Sequence, residues 1–331
     1  MIPELDADVI RFIETHGWGG ASFTPMTSDA SSRRYIRLKN FNKSAILMDA
    51  RAVERSHTKQ FCNVAGVLRN HGMSAPAIYA HDLINGLLLL EDFGDSVFAR
   101  LMESQPRREV DLYRKATDAL FHLHALKPPE TLSIASSEVL TSMLDPFFFD
   151  YVNENHKGKT VVSSLQTQLR NALNVVDHGK RVLSLRDCHS ENLMFLENRR
   201  GFASVGLLDF QDAFICHPAY DLVSLLQDAR RCVTPEIEKG MIAHYLSQAG
   251  DNKESFLSSY RILGVQRNLR ILGIFARLAR HQDKCSYLAL VPRVRRYVQR
   301  TLRAAEFEAW RDDLILLLHA PSEDLERPAH V

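Results

Sequence analysis

The residues able to do chemistry are concentrated in one stretch. Arg186-Asp187-Cys188-His189-Ser190-Glu191-Asn192 is a polar run. It is followed by the apolar Leu193-Met194-Phe195-Leu196 and then by Leu207-Leu208-Asp209-Phe210-Gln211-Asp212. Asp187 and Asn192 lie five positions apart on a loop, and Asp209 ends an apolar strand 22 positions after Asp187. Two carboxylates and an amide oxygen in this arrangement suit phosphoryl transfer. One carboxylate orients and partly deprotonates an attacking hydroxyl, while an amide oxygen and a second carboxylate hold Mg²⁺ against phosphate oxygens. Mg²⁺ takes a few hard oxygen ligands and completes its shell with phosphate and water, so one Asn and one Asp suffice.

The flanking elements must carry this loop. Helical spacing over 3–16 ends at Gly17, Gly19 and Gly20. Two strand-like runs, 33–39 and 44–49, are joined by a turn at Lys39-Asn40-Phe41-Asn42-Lys43, and a helix over 58–70 is closed by Gly72. Short strands over 78–80 and 87–90 complete an α+β unit ending near Glu91. Beyond it the pattern is mostly helical: 106–127, 138–156, 161–177, 219–231, 235–249, 253–281, 291–305 and 306–318. The exceptions are apolar strands at 182–183, 193–196 and 205–208. The expected fold class is therefore α+β. It has a small sheet-rich N-lobe over 1–91. A larger, mainly helical C-lobe over 92–331 holds the catalytic loop and metal site, with a ligand cleft between the lobes.

The ordered motifs resemble a known family. The run from Ser184 to Met194, followed by Leu207-Leu208-Asp209-Phe210-Gln211-Asp212-Ala213, is similar to the catalytic loop and metal motif of aminoglycoside phosphotransferases and their choline- and sugar-kinase relatives. Asp29-Ala30-Ser31-Ser32-Arg33-Arg34-Tyr35, Leu88-Leu89-Leu90-Glu91-Asp92-Phe93-Gly94 and Tyr220-Asp221-Leu222 fall in matching order, over roughly residues 20 to 305. Within that family the chain looks closest to anomeric kinases of N-acetylmuramate and N-acetylglucosamine, in the Asp29–Tyr35 and Leu207–Ala213 runs and in Gly273-x-Phe275-x-Arg277-Leu278. The ordered set is far more specific than a lone D-x-x-x-x-N.

The resemblance implies a two-lobed, protein-kinase-like fold whose small antiparallel-sheet N-lobe (1–91) covers the nucleotide, with ATP and Mg²⁺ as the cofactors. It makes Asp187 the catalytic base and Asn192 and Asp209 the Mg²⁺ ligands. Leu89, Leu90, Glu91, Asp92 and Phe93 match the linker that binds the adenine edge, and Met194 its apolar floor. Ser31 and Ser32 match the phosphate-covering turn, and Asp221 a buried acid bracing the catalytic loop. Each polar residue also has a plainer reading as a cap or turn former. Asp212 reads as a surface or capping acid. His122 and His124 read as structural, and His281 with Cys285 supplies too few ligands for a metal site.

The chain departs from the family pattern at two points. Met48 stands where a phosphate-binding Lys is expected on the third strand, and Leu185 or Arg186 stands where a His precedes the catalytic Asp. No glycine-rich loop lies near residue 30. On the 33–39 strand, Arg34, Ile36 and Leu38 share one face and Arg33, Tyr35 and Arg37 the other. Taking Ile36 and Leu38 as inward-facing drives Arg34 under the sheet, where it replaces the missing Lys; Arg33 and Arg37 are the alternatives.

Composition limits the partners. The net charge is +1 and the hydrophobic content 45%, so general attraction to nucleic acid or an anionic membrane is not expected. Residues 261–303 hold eleven Lys or Arg and only Asp283 as an acid, about +10 locally. Such a run is usually a solvated face. Near the site it would instead favour an anionic or N-acetylated sugar over a polycationic drug, with His189, Arg267 and Arg277 as candidate substrate contacts. An aminoglycoside or another hydroxyl compound as acceptor, and a nucleotide-binding pseudokinase, are the competing readings. Five scattered cysteines and no apolar h-region at the amino terminus point to the cytoplasm, with no membrane partner and a monomer or dimer as the assembly.

Overall fold

A computed structural model describes residues 5–26, 33–152 and 159–319. Ser31 and Ser32, the expected phosphate-covering turn, lie outside the described residues. The chain forms two compact units, one of residues 1–119 with 191–213 and one of residues 120–190 with 214–331. Compactness thus groups 92–119 and 191–213 with the amino-terminal sheet, whereas a division by chain order falls at Glu91. One unit boundary runs through the polar loop itself, after Ser190.

The first unit is built on an antiparallel sheet. Its strands are β1 (Ser22–Met26), β2 (Arg34–Asn40), β3 (Lys43–Asp49), β4 (Ile78–Asp82) and β5 (Leu87–Glu91), in the order β1-β2-β3-β5-β4. The two-residue alternation of the sequence gives the sheet two different faces. Ile36, Leu38, Ala45, Leu47, Leu87 and Leu89 form one, a core shared with Val9, Phe12 and Ile13 of α1 (Ala7–Thr15). Asp6 caps that helix by accepting from the Val9 N–H at 3.1 Å. The register puts Arg37, Ile46 and Leu90 in one row of the other face and Tyr35, Met48 and Leu88 in the next. Strand β1 was not anticipated; Pro25 and a mostly exposed pattern weaken its signal, and both suit an edge position. The unit also contains α2 (Arg55–Asn70), α3 (Phe98–Ser104), the first part of α4 (Glu109–His124), and a hairpin of β6 (Leu193–Phe195) and β7 (Val205–Leu207).

The second unit is mainly helical. It holds the end of α4, α5 (Ser137–Ser142), α6 (Lys159–Asp177), α7 (Ala219–Leu226), α8 (Pro235–Ala249), α9 (Lys253–Gln282), α10 (Val291–Thr301) and α11 (Arg311–Leu318). A two-stranded ladder pairs Val182–Ser184 with Phe214–Cys216. The single helix expected over 138–156 is instead interrupted. After α5 the chain makes a π turn at Phe147–Tyr151, entered through Pro146, because proline cannot donate into a preceding helical turn. Helix α9 is buried on nearly every side from Ile262 to Gly273, which is why its hydrophobic periodicity is weak in the sequence. At Gly273 an added Cβ would lie 2.2 Å from the Phe147 nitrogen and the Pro146 carbonyl carbon. The glycine is what lets the helix approach that backbone.

Candidate active site

The two expected metal ligands, Asn192 and Asp209, belong to the first unit. Asn192 leads into β6, and its carbonyl accepts the Leu208 N–H at 3.0 Å, closing the hairpin end. Asp209 follows β7 with φ of 56°. This left-handed conformation costs an ordinary residue about 1–3 kcal/mol and persists only where its surroundings enforce it. Here two neighbours do so. Gln211, 3% exposed, donates to Asp209 Oδ1 at 2.7 Å. Phe210 is fully buried and stacks on Phe61 at 4.8 Å between ring centroids. The Asn192 amide lies 3.5 Å from Asp209 Oδ2. One amide and one exposed carboxylate, side by side, form a hard-oxygen pair. No cluster of three or more His, Cys, Asp or Glu able to hold a metal occurs among the described residues. The pair therefore fits a cation that takes its remaining ligands from phosphate and water.

The expected base, Asp187, belongs to the second unit. Asp221 is completely buried and organises the start of the loop. One of its oxygens accepts from Ser184 Oγ at 2.9 Å and the Arg186 N–H at 3.0 Å; the other accepts from the Leu185 N–H at 3.0 Å and lies 3.2 Å from His124 Nε2. His124 Nδ1 in turn lies 2.9 Å from the Tyr245 hydroxyl, so His124 has the structural role expected of it. These bonds hold Arg186 at φ of 71° and turn the chain so that Asp187 follows. Arg267 of α9, only 5% exposed, contacts Asp187 Oδ1 at 3.0 Å. Burial pushes the Asp187 carboxyl up, but Arg267 and then Arg270 outweigh it and hold the group below the usual carboxylate range. Asp187 is therefore ionised at neutral pH, as a base must be. Downstream, Asp228 accepts from Ser190 Oγ at 2.7 Å and from the Arg230 N–H at 2.8 Å. Burial lowers the His189 imidazole below its ordinary value, so this ring is neutral at pH 7.

The expected nucleotide residues fall in the first unit. Leu90 is 4% exposed and lies on the same sheet face as Met48. Met194 is 3% exposed and bridges Val97. Gly206, opposite Met194, brings Phe93 and Met194 together: a Cβ there would meet the Phe93 ring at 2.9 Å and the Met194 Cβ at 3.0 Å. Glu91 differs. Its N–H donates to Ala77 O at 2.8 Å, and its carboxylate accepts from the Ala77 N–H and from Arg199. Its amide and side chain thus brace the linker, leaving no donor for an adenine edge.

Two arginines are placed differently from expectation. Arg34 is not driven under the sheet. It shares a face with Ile36 and Leu38, but at the strand end, where its side chain is 52% exposed and pairs with Asp49 at 2.6 Å. Arg277 does not join Asp187. It donates to Asp150 at 2.8 Å, ten residues and about 15 Å along α9 from Arg267. Arg267 does reach Asp187, and Arg270 and His189 act on the same carboxylate. The sequence offered no sign of Asp228 or of the support from Gln211. Arg270 was visible only as one member of the basic run.

With this geometry in place, similarity to known proteins decides the family. The model of the phosphotransferase enzyme family matches residues 22–257. The chain belongs to that family. It is similar to the N-acetylmuramate/N-acetylglucosamine kinase of Caulobacter vibrioides, 33% identical over 93% of this chain and 96% of the relative. The enzyme of the same name from Pseudomonas aeruginosa is 31% identical over 89% of each chain. A choline/ethanolamine kinase family protein from Mesorhizobium loti superposes with a TM-score of 0.63 at 15% identity, covering 91% of this chain and 94% of that one. The fold is kinase-like, and the phosphotransferase transfers a phosphoryl group to a hydroxyl.

Proposed function

We propose that this phosphotransferase uses ATP to phosphorylate an amino sugar, N-acetylmuramate or N-acetylglucosamine, on its anomeric hydroxyl. The observation that carries this reading is similarity over nearly the whole chain to two curated kinases of those sugars. In the proposed reaction Asp187 accepts a hydrogen bond from the acceptor hydroxyl and takes its proton as the oxygen attacks the γ-phosphorus, while the bond from that phosphorus to the bridging oxygen breaks and ADP leaves. Arg267 keeps that carboxylate ionised and oriented. His189, neutral and beside Asp187, contacts the sugar. Asn192 and Asp209 hold Mg²⁺, which when bound neutralises charge on the transferring group. Leu90, Phe93 and Met194 surround the adenine, and Ser31 and Ser32 cover the phosphates. A surplus of guanidinium groups around Asp187, from Arg186, Arg267 and Arg270, disfavours polycationic aminoglycosides as acceptors. Work in the cytoplasm is consistent with free cysteines at all five positions, two of them exposed. No helix among the described residues is long and apolar enough to cross a membrane.

The test is ADP release over a panel of both sugars and several aminoglycosides, with Asp187→Asn as control and ³¹P NMR of the product. Sugar-dependent turnover giving an acid-labile sugar 1-phosphate, abolished by Asp187→Asn, is expected. Turnover with aminoglycosides and none with sugars would overturn the reading.

A further inference from the structure

Phe93, one of the residues placed around the adenine, stands on a linker, residues 92–95, that leaves the sheet after β5. A segment outside the hydrogen-bonded ladder opens easily unless side chains hold it. Two arginines distant in sequence hold this one. Arg37 starts from β2, in the row that runs across Ile46 of β3 to Leu90 of β5. Two strand spacings, about 10 Å, separate it from that last strand, and its side chain spans them while only 13% exposed. Its Nε lies 2.9 Å from Asp92 Oδ2, and its Nη atoms donate to Asp92 Oδ1 at 3.0 Å, to Asp95 Oδ1 at 2.7 Å and to Gly94 O at 2.9 Å. The Asp92 carboxylate is 5% exposed and also accepts the Gly94 N–H at 2.9 Å. Gly94 has φ of 81°, the left-handed conformation that glycine takes without strain.

Arg199 comes from the turn of the β6–β7 hairpin. Its guanidinium pairs with the Glu91 carboxylate and lies 5.2 Å from the centroid of the Phe93 ring. Glu91 and Phe93 thus meet one arginine and Asp92 the other, which is the alternation of an extended chain. The same hairpin fixes Phe93 from a further side, because Gly206 leaves room for the ring against Met194. Phe93 nevertheless remains only half-buried, so part of the ring is open to a base. All of these contacts lie within the first compact unit.

We propose that Arg37 and Arg199 are positioning residues for the nucleotide base: together they clamp the linker and preset Leu90 and Phe93 for the adenine. This assignment rests on the ATP-dependent reading above. Both guanidiniums are engaged by the linker, so they act through it and not on the nucleotide. Their effect is preorganisation. A linker fixed before binding loses less conformational entropy when the base arrives, and the difference appears as affinity.

Steady-state kinetics and isothermal titration of wild type, Arg37→Gln and Arg199→Gln test the clamp. In each variant the KM for ATP and the dissociation constants of ATP and adenosine are expected to rise together by about fivefold to thirtyfold, the cost of fixing the backbone of one linker residue on binding. The kcat at saturating ATP and the KM for the sugar are expected to stay within about twofold, the signature of lost uniform binding. A mere loss of folded protein does the opposite, lowering kcat at an unchanged KM. An unchanged KM for ATP in either variant, or a loss for ATP that adenosine does not share, would overturn the clamp. Should Arg37→Gln not fold, Arg37→Lys replaces it. An ammonium keeps the charge and not the fork, so adenosine must again bind more weakly, and a wild-type adenosine affinity would overturn the clamp. Wild-type protein that bound neither ATP nor adenosine would overturn the kinase reading together with it, whereas normal wild-type binding and unaffected variants would overturn the clamp alone.

Discussion

Replacing Asp221 by Asn changes one atom and should disable the loop that carries Asp187. The carboxylate is fully buried, and each of its oxygens faces two partners: Ser184 Oγ and the Arg186 N–H on one side, the Leu185 N–H and His124 Nε2 on the other. An amide keeps one oxygen. Its NH₂ must face a backbone N–H, that of Arg186 or that of Leu185, whichever way it is turned. At least one charge-assisted hydrogen bond is lost, so a loss of about 1.5–3 kcal/mol in stability is expected. That is a large part of the ~5–15 kcal/mol that stabilises a typical domain. The same bonds hold Arg186 in its left-handed conformation, so the surviving folded protein should present Asp187 out of position. A displacement of about 1 Å in a reacting group costs roughly a hundredfold in rate. Urea denaturation followed by circular dichroism measures the first effect, and kcat at saturating substrates the second. The KM for ATP should change little, since Leu90, Met194, Asn192 and Asp209 belong to the other compact unit. An Asn variant within about 1 kcal/mol of wild-type stability and with wild-type kcat would refute this account of the loop.

Three further outcomes are expected. Gly273→Ala should destabilise the protein by about 1–3 kcal/mol or more through overpacking against Pro146 and Phe147, although helix propensity alone favours Ala by about 1 kcal/mol; a thermal melt that rises would sink the close-approach argument. Arg267→Met removes the main counter-charge of Asp187 while leaving its burial, so the acid limb of the kcat/KM profile should move to higher pH, and an unmoved limb would detach Arg267 from this role. The Asp49 carboxyl is pushed up by burial but brought well below its ordinary value by Arg51 and Arg34. A depressed folded-state pKa stabilises fully above the unfolded value of 3.8 and less as pH falls below it. Asp49→Asn should therefore cost about 2 kcal/mol at pH 7 and less at pH 3, as read from denaturation midpoints at the two pH values.

The chemistry was legible in the sequence because it depends on residue type and short spacing. Asp187, Asn192 and Asp209 stand beside short apolar runs that are a local signal, β2 follows from a two-residue period, and β5 is a continuous apolar run. Asp221 could be picked out by its motif, and its buried bonds to the loop agree with that choice. The sequence alone determined that this chain carries a polar loop resembling that of phosphotransferases, and a sheet followed by helices. Tertiary structure decided which charges meet. Arg34 and Arg33 are neighbours in sequence, and a strand end placed one beside Asp49 and the other beside Tyr35. Arg267 and Arg277 share a basic helix, and only the first reaches Asp187, the other turning to Asp150. The partner of an arginine is set by which elements pack around it, through contacts 80 and 127 residues apart in the chain, and no local pattern encodes such distances.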